Sequence, residues 1–337
     1  ASFDLKALEN DPEKTLENLK RFPLLLISNP TEAFSETEKY LLDQYLMHGG
    51  KQWWTINPVA VNRDSLFNTG GSAVAFGRSL NMESAFFKYG FRLQKNLVKD
   101  MYCAPVVLAN GSQREAQYLP YPWPYYSLAQ PRQNELFGNQ AGKVLISFPS
   151  SIDTLNNSLD KTILIGSSDF SQSLQTPKTI ALKEASEKLN PALFDQKSQI
   201  LGLLLEGKFN SAFENRITPV ILEDKRTTGQ SQIMVFSSGA VAENQVDKRN
   251  PLELGYDKWT NNFYFNKVFL QQTVHHLMGN HKLLQLQNKG VELPHLDFQK
   301  VEQQSRLLKI LMLLIPLAIL LILGALVFRW RIRRFGQ

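Results

Sequence analysis

The clearest pattern of hydrophobic and polar positions lies near the start of the chain. Pro23–Ser28 (PLLLIS) is a short apolar run of the kind that forms a buried strand, and KQWWTIN at 51–57 is a second. Between them, Ser35 and Glu38 have the spacing of a capping box, which predicts a helix through His48. A strand, a helix and a strand at this spacing form a βαβ crossover, so the two strands are predicted to be parallel.

Further apolar runs complete a predicted layered α/β fold with a mostly parallel sheet. Tyr118–Leu128 is rich in aromatic residues and proline, and is predicted to be an ordered non-helical loop because proline removes a backbone donor. No repeat or low-complexity linker divides residues 1–290, which we expect to form one domain. The other predicted elements are strands at 106–108, 143–148, 161–166, 199–207 and 231–238, and a helix at 262–278.

The C-terminal segment 310–328 carries no charged side chain. A helix of this length spans roughly 28 Å, close to the hydrocarbon thickness of a bilayer. We therefore expect a juxtamembrane helix at 291–309, a transmembrane helix at 310–328 and a basic tail at 329–337. A buried helix of a soluble fold is the alternative, although such a helix has no need to be apolar on every face.

The charges that flank this segment predict its orientation. Basic flanks favour the cytoplasm, and the four arginines after the segment form the tighter cluster, so we expect a cytoplasmic tail and an extracytoplasmic domain at 1–290. The chain does not begin with methionine, so we expect a processed or truncated form whose export signal lies upstream. The rival topology is a tail-anchored protein with a cytoplasmic domain. The basic residues are Lys300, Arg306 and Lys309 before the segment, and Arg329, Arg331, Arg333 and Arg334 after it.

The net charge of +6 invites a nucleic-acid interpretation, which the charge distribution excludes. Lys309 and the four arginines of the tail contribute +5, which leaves about +1 for residues 1–306. This is too little for an electrostatic footprint on a polyanion, so we expect no nucleic-acid partner. The single cysteine, Cys103, excludes an intramolecular disulfide, and the domain must be stabilised by packing.

Motifs for catalysis, cofactors and metals are weak. The segment 138–143 (GNQAGK) is one residue too short for a P-loop and precedes its predicted strand instead of following it. No G-x-S-x-G elbow is present, and Cys103 has no charged neighbour in sequence, which favours a buried inert thiol. His275 and His276 are adjacent on a predicted helix, about 100° apart, and cannot both face one ion. We expect no catalytic residue, no metal and no cofactor.

Ligand binding remains possible, because open α/β sheets bind ligands outside the carboxyl ends of their strands. Each candidate also has a purely structural interpretation: Ser150 as a turn residue, the charged residues near 206–216 as a salt-bridged loop, and Trp123 and Tyr125 as core packing. The candidates are Asn29, Thr31 and Glu32 after the first strand, Ser150 and Asp153 after the strand at 143–148, Glu206, Lys208 and Arg216, and the aromatic residues Trp123 and Tyr125.

Several segments resemble the GldG family, the gliding-motility-associated auxiliary or substrate-binding proteins of ABC transporters in Bacteroidota. The most distinctive are LLLEGKFNSAFENR at 203–216 and QVDKRNPLELGYDKWTNNFYFNKVFL at 245–270. The others are 22–51, 86–106 and 147–155, so the resemblance covers essentially the whole chain. Members of the family also end in a C-terminal membrane helix with a basic tail, which resembles the C-terminal segment predicted here. Family members usually carry a membrane helix and an α/β region before the part represented here.

The resemblance implies a non-catalytic periplasmic domain of a flavodoxin-like or glutamine-amidotransferase-like kind, anchored in the inner membrane. Its implied partners are an ABC-2-type permease, a cytoplasmic ATPase and the lipid bilayer, in a complex linked to gliding motility or envelope export. An envelope scaffold and a hydrolase acting on envelope glycan or peptide are the competing hypotheses. Ser65 and Thr154 lie in Asp-Ser/Thr-apolar triplets that resemble the O-glycosylation pattern of exported Bacteroidota proteins. Candidates for the permease-facing surface are Pro316, which can kink the helix, and the small residues Ala318, Gly324 and Ala325.

Overall fold

The computed structural model describes residues 11–61, 63–110, 116–132, 137, 142–280 and 305–335. The chain divides into two compact units, Ala1–Gly290 and Val291–Gln337. The helices are Pro12–Lys20 (α1), Glu36–Met47 (α2), Arg63–Asn68 (α3), Glu83–Tyr89 (α4), Asn266–Leu277 (α5) and Ser305–Phe335 (α6). Short 3-10 turns lie at Leu182–Ser186, Pro191–Leu193 and Gly239–Ala242.

The strands of the large unit form one main sheet and several small ones. They are Leu24–Ser28 (β1), Lys51–Thr55 (β2), Val59–Ala60 (β3), Ser72–Gly77 (β4), Phe91–Leu93 (β5), Asn96–Asp100 (β6), Cys103–Asn110 (β7), Gln117–Pro131 (β8), Val144–Ser147 (β9), Ile152–Thr154 (β10), Asp160–Gly166 (β11), Ser171–Gln175 (β12), Lys178–Ala181 (β13), Ile200–Asn210 (β14), Thr228–Phe236 (β15), Val246–Asp247 (β16), Asn250–Pro251 (β17), Tyr256–Asp257 (β18) and Asn262–Phe263 (β19).

The N-terminal βαβ unit predicted from the sequence is confirmed. Strands β1 and β2 are parallel, with Leu25 opposite Gln52. The backbone N–H of Glu38 donates to Ser35 Oγ at 3.1 Å, and the N–H of Ser35 donates to Glu38 Oε2 at 2.7 Å. These two bonds satisfy donors that the first turn of α2 leaves open, so the capping box fixes where the helix begins.

The main sheet is mixed and mostly antiparallel, so the flavodoxin-like or amidotransferase-like, mostly parallel sheet is not what the chain forms. Its strand order is β1-β2-β15-β14-β11-β8-β7, with β9 also paired to β8. Only the pairs β1–β2 and β2–β15 are parallel. The error has a physical cause: Leu201–Leu205 in β14 are all buried, and such an unbroken apolar run is typical of parallel strands that are covered on both faces.

The two faces of the sheet bury different helices. Leu203 and Leu205 of β14 belong to the core that includes Tyr45 of α2. Leu204, between them, belongs to the opposite core with Phe269 of α5. Each such leucine stabilises the fold by about 1.5–3 kcal/mol relative to an exposed one. Helix α5 begins at Asn266, later than predicted, because Asn262–Phe263 pairs with Tyr256–Asp257 as a short hairpin.

Strand β8 contradicts the prediction that Tyr118–Leu128 is a loop. Pro122 lies opposite Pro105 of β7, and Pro120 lies opposite Val107. Since neither residue of a proline pair has an N–H, these positions are the non-hydrogen-bonded sites of the ladder. The donors that proline lacks are therefore not needed on the β7 side. On the other side, β9 begins to pair only at Tyr126, so the prolines occupy an edge of the kind that tolerates them.

The second unit contains helix α6. Leu314–Arg331 is apolar and long enough to cross a bilayer, with a mean hydropathy of 1.9 over 18 residues. The helix is continuous through Pro316, whose missing N–H leaves the carbonyl of Met312 without its helical donor. At the basic end, the Arg334 guanidinium lies 5.0 Å from the centre of the Trp330 ring. Residues 291–304 of the predicted juxtamembrane helix lie outside the described residues.

Candidate functional site

The large unit contains a cavity of about 770 Å³ beside the carboxyl ends of two parallel-paired strands. Asn57 follows β2, and Ala240 and Glu243 follow β15; all three line the cavity. A volume of this size is within the range of ligand pockets, and this end of a parallel pair is where α/β sheets bind ligands. The other walls are Val61, Asp64 and Phe67, five residues of β7, Tyr118 and Tyr126 of β8, Leu145, Ser147 and Phe148 around β9, Asn266, and residues 244–246 and 255–259.

Hydrogen bonds hold the segment after β15 against its neighbours. The backbone N–H of Gly239 donates to Asn57 Oδ1 at 2.7 Å. The Ser238 hydroxyl donates to the carbonyl oxygen of Ser147 at 2.7 Å, which ties the same segment to β9. Each bond joins a side chain to a backbone group, and together they hold the start of the segment that carries Ala240 and Glu243 to the cavity.

Asn29 combines three unusual features beside this cavity. It follows β1 with a backbone φ of +44°, in the left-handed region. Its Nδ2 donates to Glu243 Oε1 at 2.5 Å, whereas its Oδ1 is buried without a hydrogen-bond partner. A buried polar atom without a partner costs roughly 1–3 kcal/mol, and strained residues of this kind cluster at functional sites. The predicted candidate Asn29 thus contacts Glu243, a lining residue that the sequence did not single out, and its role in binding stays a prediction.

Residues 244–246 and 255–259 form one wall of the cavity. Asp257 is buried, and its carboxylate accepts from Gln245 Nε2 at 2.9 Å and from the Thr260 hydroxyl at 2.6 Å. Beside it, the Lys258 ammonium donates to the carbonyl of Val246 at 2.8 Å and lies 5.3 Å from the centre of the Trp259 ring. The Asp257 carboxylate thus links Gln245 to Thr260 through hydrogen bonds. The Trp259 side chain remains 56% exposed.

The cavity has both apolar and acidic character. Phe67, Tyr118 and Trp259 are exposed aromatic residues in its lining. Among the described residues, the lining includes three acidic residues, Asp64, Glu243 and Asp257, and one basic residue, Lys258. Exposed aromatic rings and an excess of negative charge favour a ligand that is partly apolar and carries positive charge.

The other predicted candidates near the carboxyl ends of strands are placed in different ways. Thr31 and Glu32 are exposed in the loop after β1. Ser150 is fully buried and donates to the carbonyl oxygen of Asn96 at 2.7 Å, which is a structural role. Asp153 lies on β10, where it accepts a hydrogen bond from Gln94. None of these residues lines the 770 Å³ cavity.

Glu206 and Lys208 lie on the central strand β14, at the end of the main sheet that is opposite to the cavity. They are paired with Gln232 and Gln230, which come before the segment of β15 that is paired to β2. Asn29 follows the other end of this parallel group, so these predicted candidates do not converge on it. Glu206 instead accepts a hydrogen bond from Gln232, and Arg216 is exposed in the loop after β14.

The aromatic candidates Trp123 and Tyr125 are both fully buried. Their rings lie 5.0 Å apart, and the Tyr125 hydroxyl donates to Glu184 Oε2 at 3.2 Å. They pack in the core, and the aromatic residues of β8 that do line the cavity are Tyr118 and Tyr126. Residue type alone could not distinguish the aromatic residues in the core from those that line the cavity, because the difference depends on the direction in which each side chain of the strand points.

Outside the cavity lining, Cys103 has the environment of a residue with a structural role. Burial raises the pKa of the Cys103 thiol to about 11, so at neutral pH the thiol is protonated, as expected for an inert cysteine. In the described part of the chain, no three His, Cys, Asp or Glu residues are placed to hold a metal ion. Two further histidines near His275 and His276 in the sequence, His281 and His295, and most of the segment 138–143 (GNQAGK) lie outside the described residues. Thr154 is exposed on β10 and Ser65 lies in α3, and O-glycosylation of both stays a prediction.

Comparison with known proteins places the described unit in a sequence family. Residues 1–273 match the model of a family described as an ABC-type uncharacterized transport system. No curated protein matches the chain. Among solved structures, the mmIFT52 N-terminal domain is similar over 79% of this chain and 81% of that chain, at 13% identity and a TM-score of 0.40.

Proposed function

The chain belongs to the family of ABC-type uncharacterized transport systems, and from this premise we propose that it is a membrane-anchored auxiliary subunit of an ABC transporter whose large unit binds a ligand in the 770 Å³ cavity. The observation that carries the proposal is the extent of the family match. It covers residues 1–273 and therefore includes every residue that lines the cavity.

The proposed location is the inner membrane, with the large unit in the periplasm and the C-terminus in the cytoplasm. Leu314–Arg331 supports membrane anchoring by its length and composition. The arginines at 329, 331, 333 and 334 support a cytoplasmic tail, since basic residues are retained on that side. A periplasmic ligand site would then be joined to the cytoplasmic machinery by one helix.

We assign the second part of the function, coupling to a permease, to helix α6. Gly324 has no atom within 4 Å of the position that a Cβ would occupy, and Ala325 follows it. Small residues let a neighbouring helix approach closely, and Pro316 frees a carbonyl that a partner helix can satisfy. With Ala318 these residues are the proposed contact with an ABC-2-type permease, and through it with a cytoplasmic ATPase. A link to gliding motility or envelope export is proposed from the resemblance alone.

The hydrolase hypothesis is less well supported by the geometry. A hydrolase would need acidic residues such as Glu32, Asp153 and Glu206 to converge in one cleft. Glu206 lies near the amino end of the parallel group, whereas Glu32 lies in the loop that follows its carboxyl end. We therefore propose a binding and coupling role.

Copurification tests the coupling role. The full chain with an affinity tag is extracted from its own cells in a mild detergent, and the recovered proteins are identified by mass spectrometry. We expect a multi-helix permease and an ATPase subunit in a fixed ratio to the chain. The matched control replaces residues 310–328 by a polyleucine helix of the same length, which keeps the anchor and removes the small residues. Recovery of the wild-type chain alone, or equal permease recovery with the polyleucine helix, contradicts the proposal.

A further inference from the structure

Strand β7 is an edge strand of the main sheet, and the cavity follows the outer edge of this strand. In the described part of the chain, β7 pairs with β8 on one side and with no strand on the other. The lining of the cavity includes Ala104, Pro105, Val106, Val107 and Ala109. Neighbouring residues of a strand point to opposite faces, so a cavity over one face would be lined by every second residue. Consecutive lining residues mean that the cavity runs along the backbone edge of β7.

The backbone groups at this edge are turned toward the cavity. The pairs Pro105–Pro122 and Val107–Pro120 occupy non-hydrogen-bonded sites of the β7–β8 ladder. The N–H and C=O groups of Val107 therefore point away from β8, and those of Ala109, two residues further, point the same way. Pro105 contributes a carbonyl only. The edge thus offers donors and acceptors at the spacing of a strand, in a cavity that is also lined by residues 244–246 and 255–259.

From this arrangement we propose that the cavity binds an extended polypeptide segment of basic and aliphatic residues, which adds to the outer edge of β7 as a further strand. This inference rests on the proposed role of the cavity as the ligand site and names the class of ligand. Main-chain hydrogen bonds to an exposed sheet edge are a general mode of peptide recognition. The segment would come from a transported or envelope polypeptide.

The dimensions and charge of the cavity match such a segment. Ala104 to Ala109 spans six residues, or about 20 Å of strand, which is the length of a typical five- to six-residue β-strand. The described lining has more acidic residues (Asp64, Glu243 and Asp257) than basic ones (Lys258), and this balance complements basic side chains on the ligand. The exposed rings of Phe67, Tyr118 and Trp259 provide apolar contact for the alternate side chains.

Peptide binding to the full chain in lipid nanodiscs tests the inference, with fluorescence anisotropy as the measurement. The probe is a fluorescein-labelled eight-residue peptide of alternating valine and lysine with amidated C-terminus. We expect saturable binding that weakens at least tenfold in Val107→Pro, which removes an N–H from the outer edge, and changes less than twofold in the matched control Val107→Ala. A peptide with glutamate in place of lysine is expected to bind at least tenfold more weakly.

A second arm does not depend on how Val107→Pro folds. A probe with the same side chains but N-methylated valine amides cannot add as a strand, and we expect it to bind the wild-type chain at least tenfold more weakly. Equal binding of the two probes overturns the inference, as does no binding of the unmodified probe. Displacement of the probe by a neutral oligosaccharide of N-acetylglucosamine reassigns the cavity to a glycan. Copurification of the permease is independent of all these outcomes, so failure of the peptide inference and of the coupling role can be told apart.

Discussion

The hydroxyl of Tyr89 donates to Oδ1 of Asp43 at 2.8 Å, and this bond joins helices α4 and α2 inside the core. Asp43 is fully buried, and its carboxylate also accepts from the Ser211 hydroxyl at 2.6 Å and from the backbone N–H of Ala212 at 2.7 Å. Gln44 adds a fourth donor at 3.1 Å. The network fixes the start of the loop after β14 to the helix that covers the sheet.

Removing one side of this bond should destabilise the protein. We expect Tyr89→Phe to lower the free energy of unfolding by about 1–2 kcal/mol, and Asp43→Ala to lower it by about 3–5 kcal/mol because several buried donors lose their acceptor. Tyr102→Phe is the control: Tyr102 is 55% exposed, and a change within ±0.5 kcal/mol is expected. Urea denaturation of the full chain in detergent, followed by tryptophan fluorescence, measures these values. A loss below 1 kcal/mol for Asp43→Ala would show that the network contributes little.

Asp43 should also make stability depend on pH. Burial raises the pKa of its carboxyl group, despite the hydrogen bonds that oppose the shift. The folded chain therefore keeps a proton that the unfolded chain releases near pH 3.9. This contribution to stability is fully present below the unfolded pKa and is lost as the pH rises through the folded pKa. Between pH 4 and 7, we expect the unfolding free energy of the wild type to fall relative to that of Asp43→Asn; parallel curves would contradict this.

Gly239 should tolerate no side chain while Asn29 is present. A Cβ on Gly239 would lie 2.4 Å from Asn29 Cγ, so Gly239→Ala is expected to cost about 1–3 kcal/mol through overpacking. Asn29→Gly removes the obstruction, and glycine accepts the φ of +44° at this position. The double variant is therefore expected to recover most of the loss. Thermal unfolding of the three variants measures the coupling, and simple additivity would show that the two residues do not interact as described.

Substitutions on the buried faces of the main sheet should destabilise the protein more than substitutions at exposed positions of its edge strand. Leu204→Ala leaves a cavity between β14 and α5 and is expected to cost about 2–5 kcal/mol. Leu26→Ala on the edge strand β1 is the matched control, because Leu26 is 58% exposed and its loss should cost less than about 0.5 kcal/mol. Denaturant titrations give both values. Similar losses in the two variants would contradict the assignment of Leu204 to the core.

The proposed topology can be tested with introduced cysteines in a Cys103→Ala background. Lys188 is exposed in the large unit, and Gln337 follows the arginine cluster in the sequence. We expect Lys188→Cys to react with a membrane-impermeant maleimide in cells with a permeabilised outer membrane, and Gln337→Cys to react only after the inner membrane is lysed. The reverse pattern would assign the large unit to the cytoplasm.

Local chemistry made the βαβ unit predictable. The Ser35–Glu38 capping box and the two short apolar runs contain their own start and stop signals, and no distant residue is needed to interpret them. Strand direction was not predictable, because Leu201–Leu205 is buried on both faces and its pattern is the same in either direction. The prolines of β8 suggested a loop, since the edge position that accommodates them exists only once β7 and β9 are in place.

Of the residues at the candidate site, the sequence suggested only Asn29, which follows the first strand and contacts Glu243. Asn29 was expected from its position after β1, whereas Asn57, Glu243 and Trp259 come from loops far apart in sequence. Nothing in the local pattern brings these three residues together. The sequence signal for this wall is the distinctive segment 245–270, which contains Asp257 and Trp259.

The parallel pairing of β2 with β15 sets an order on biosynthesis. Gln52 meets Ile233, so the chain must be made almost to the end of the large unit before this central pair can form. Until then one long side of the N-terminal βαβ unit has no neighbour, and closing so large a loop is slow. A chain that crosses a membrane from its N-terminus therefore presents the βαβ unit to chaperones first, and any translation product that stops before β15 is a substrate for proteolysis instead of a smaller working domain.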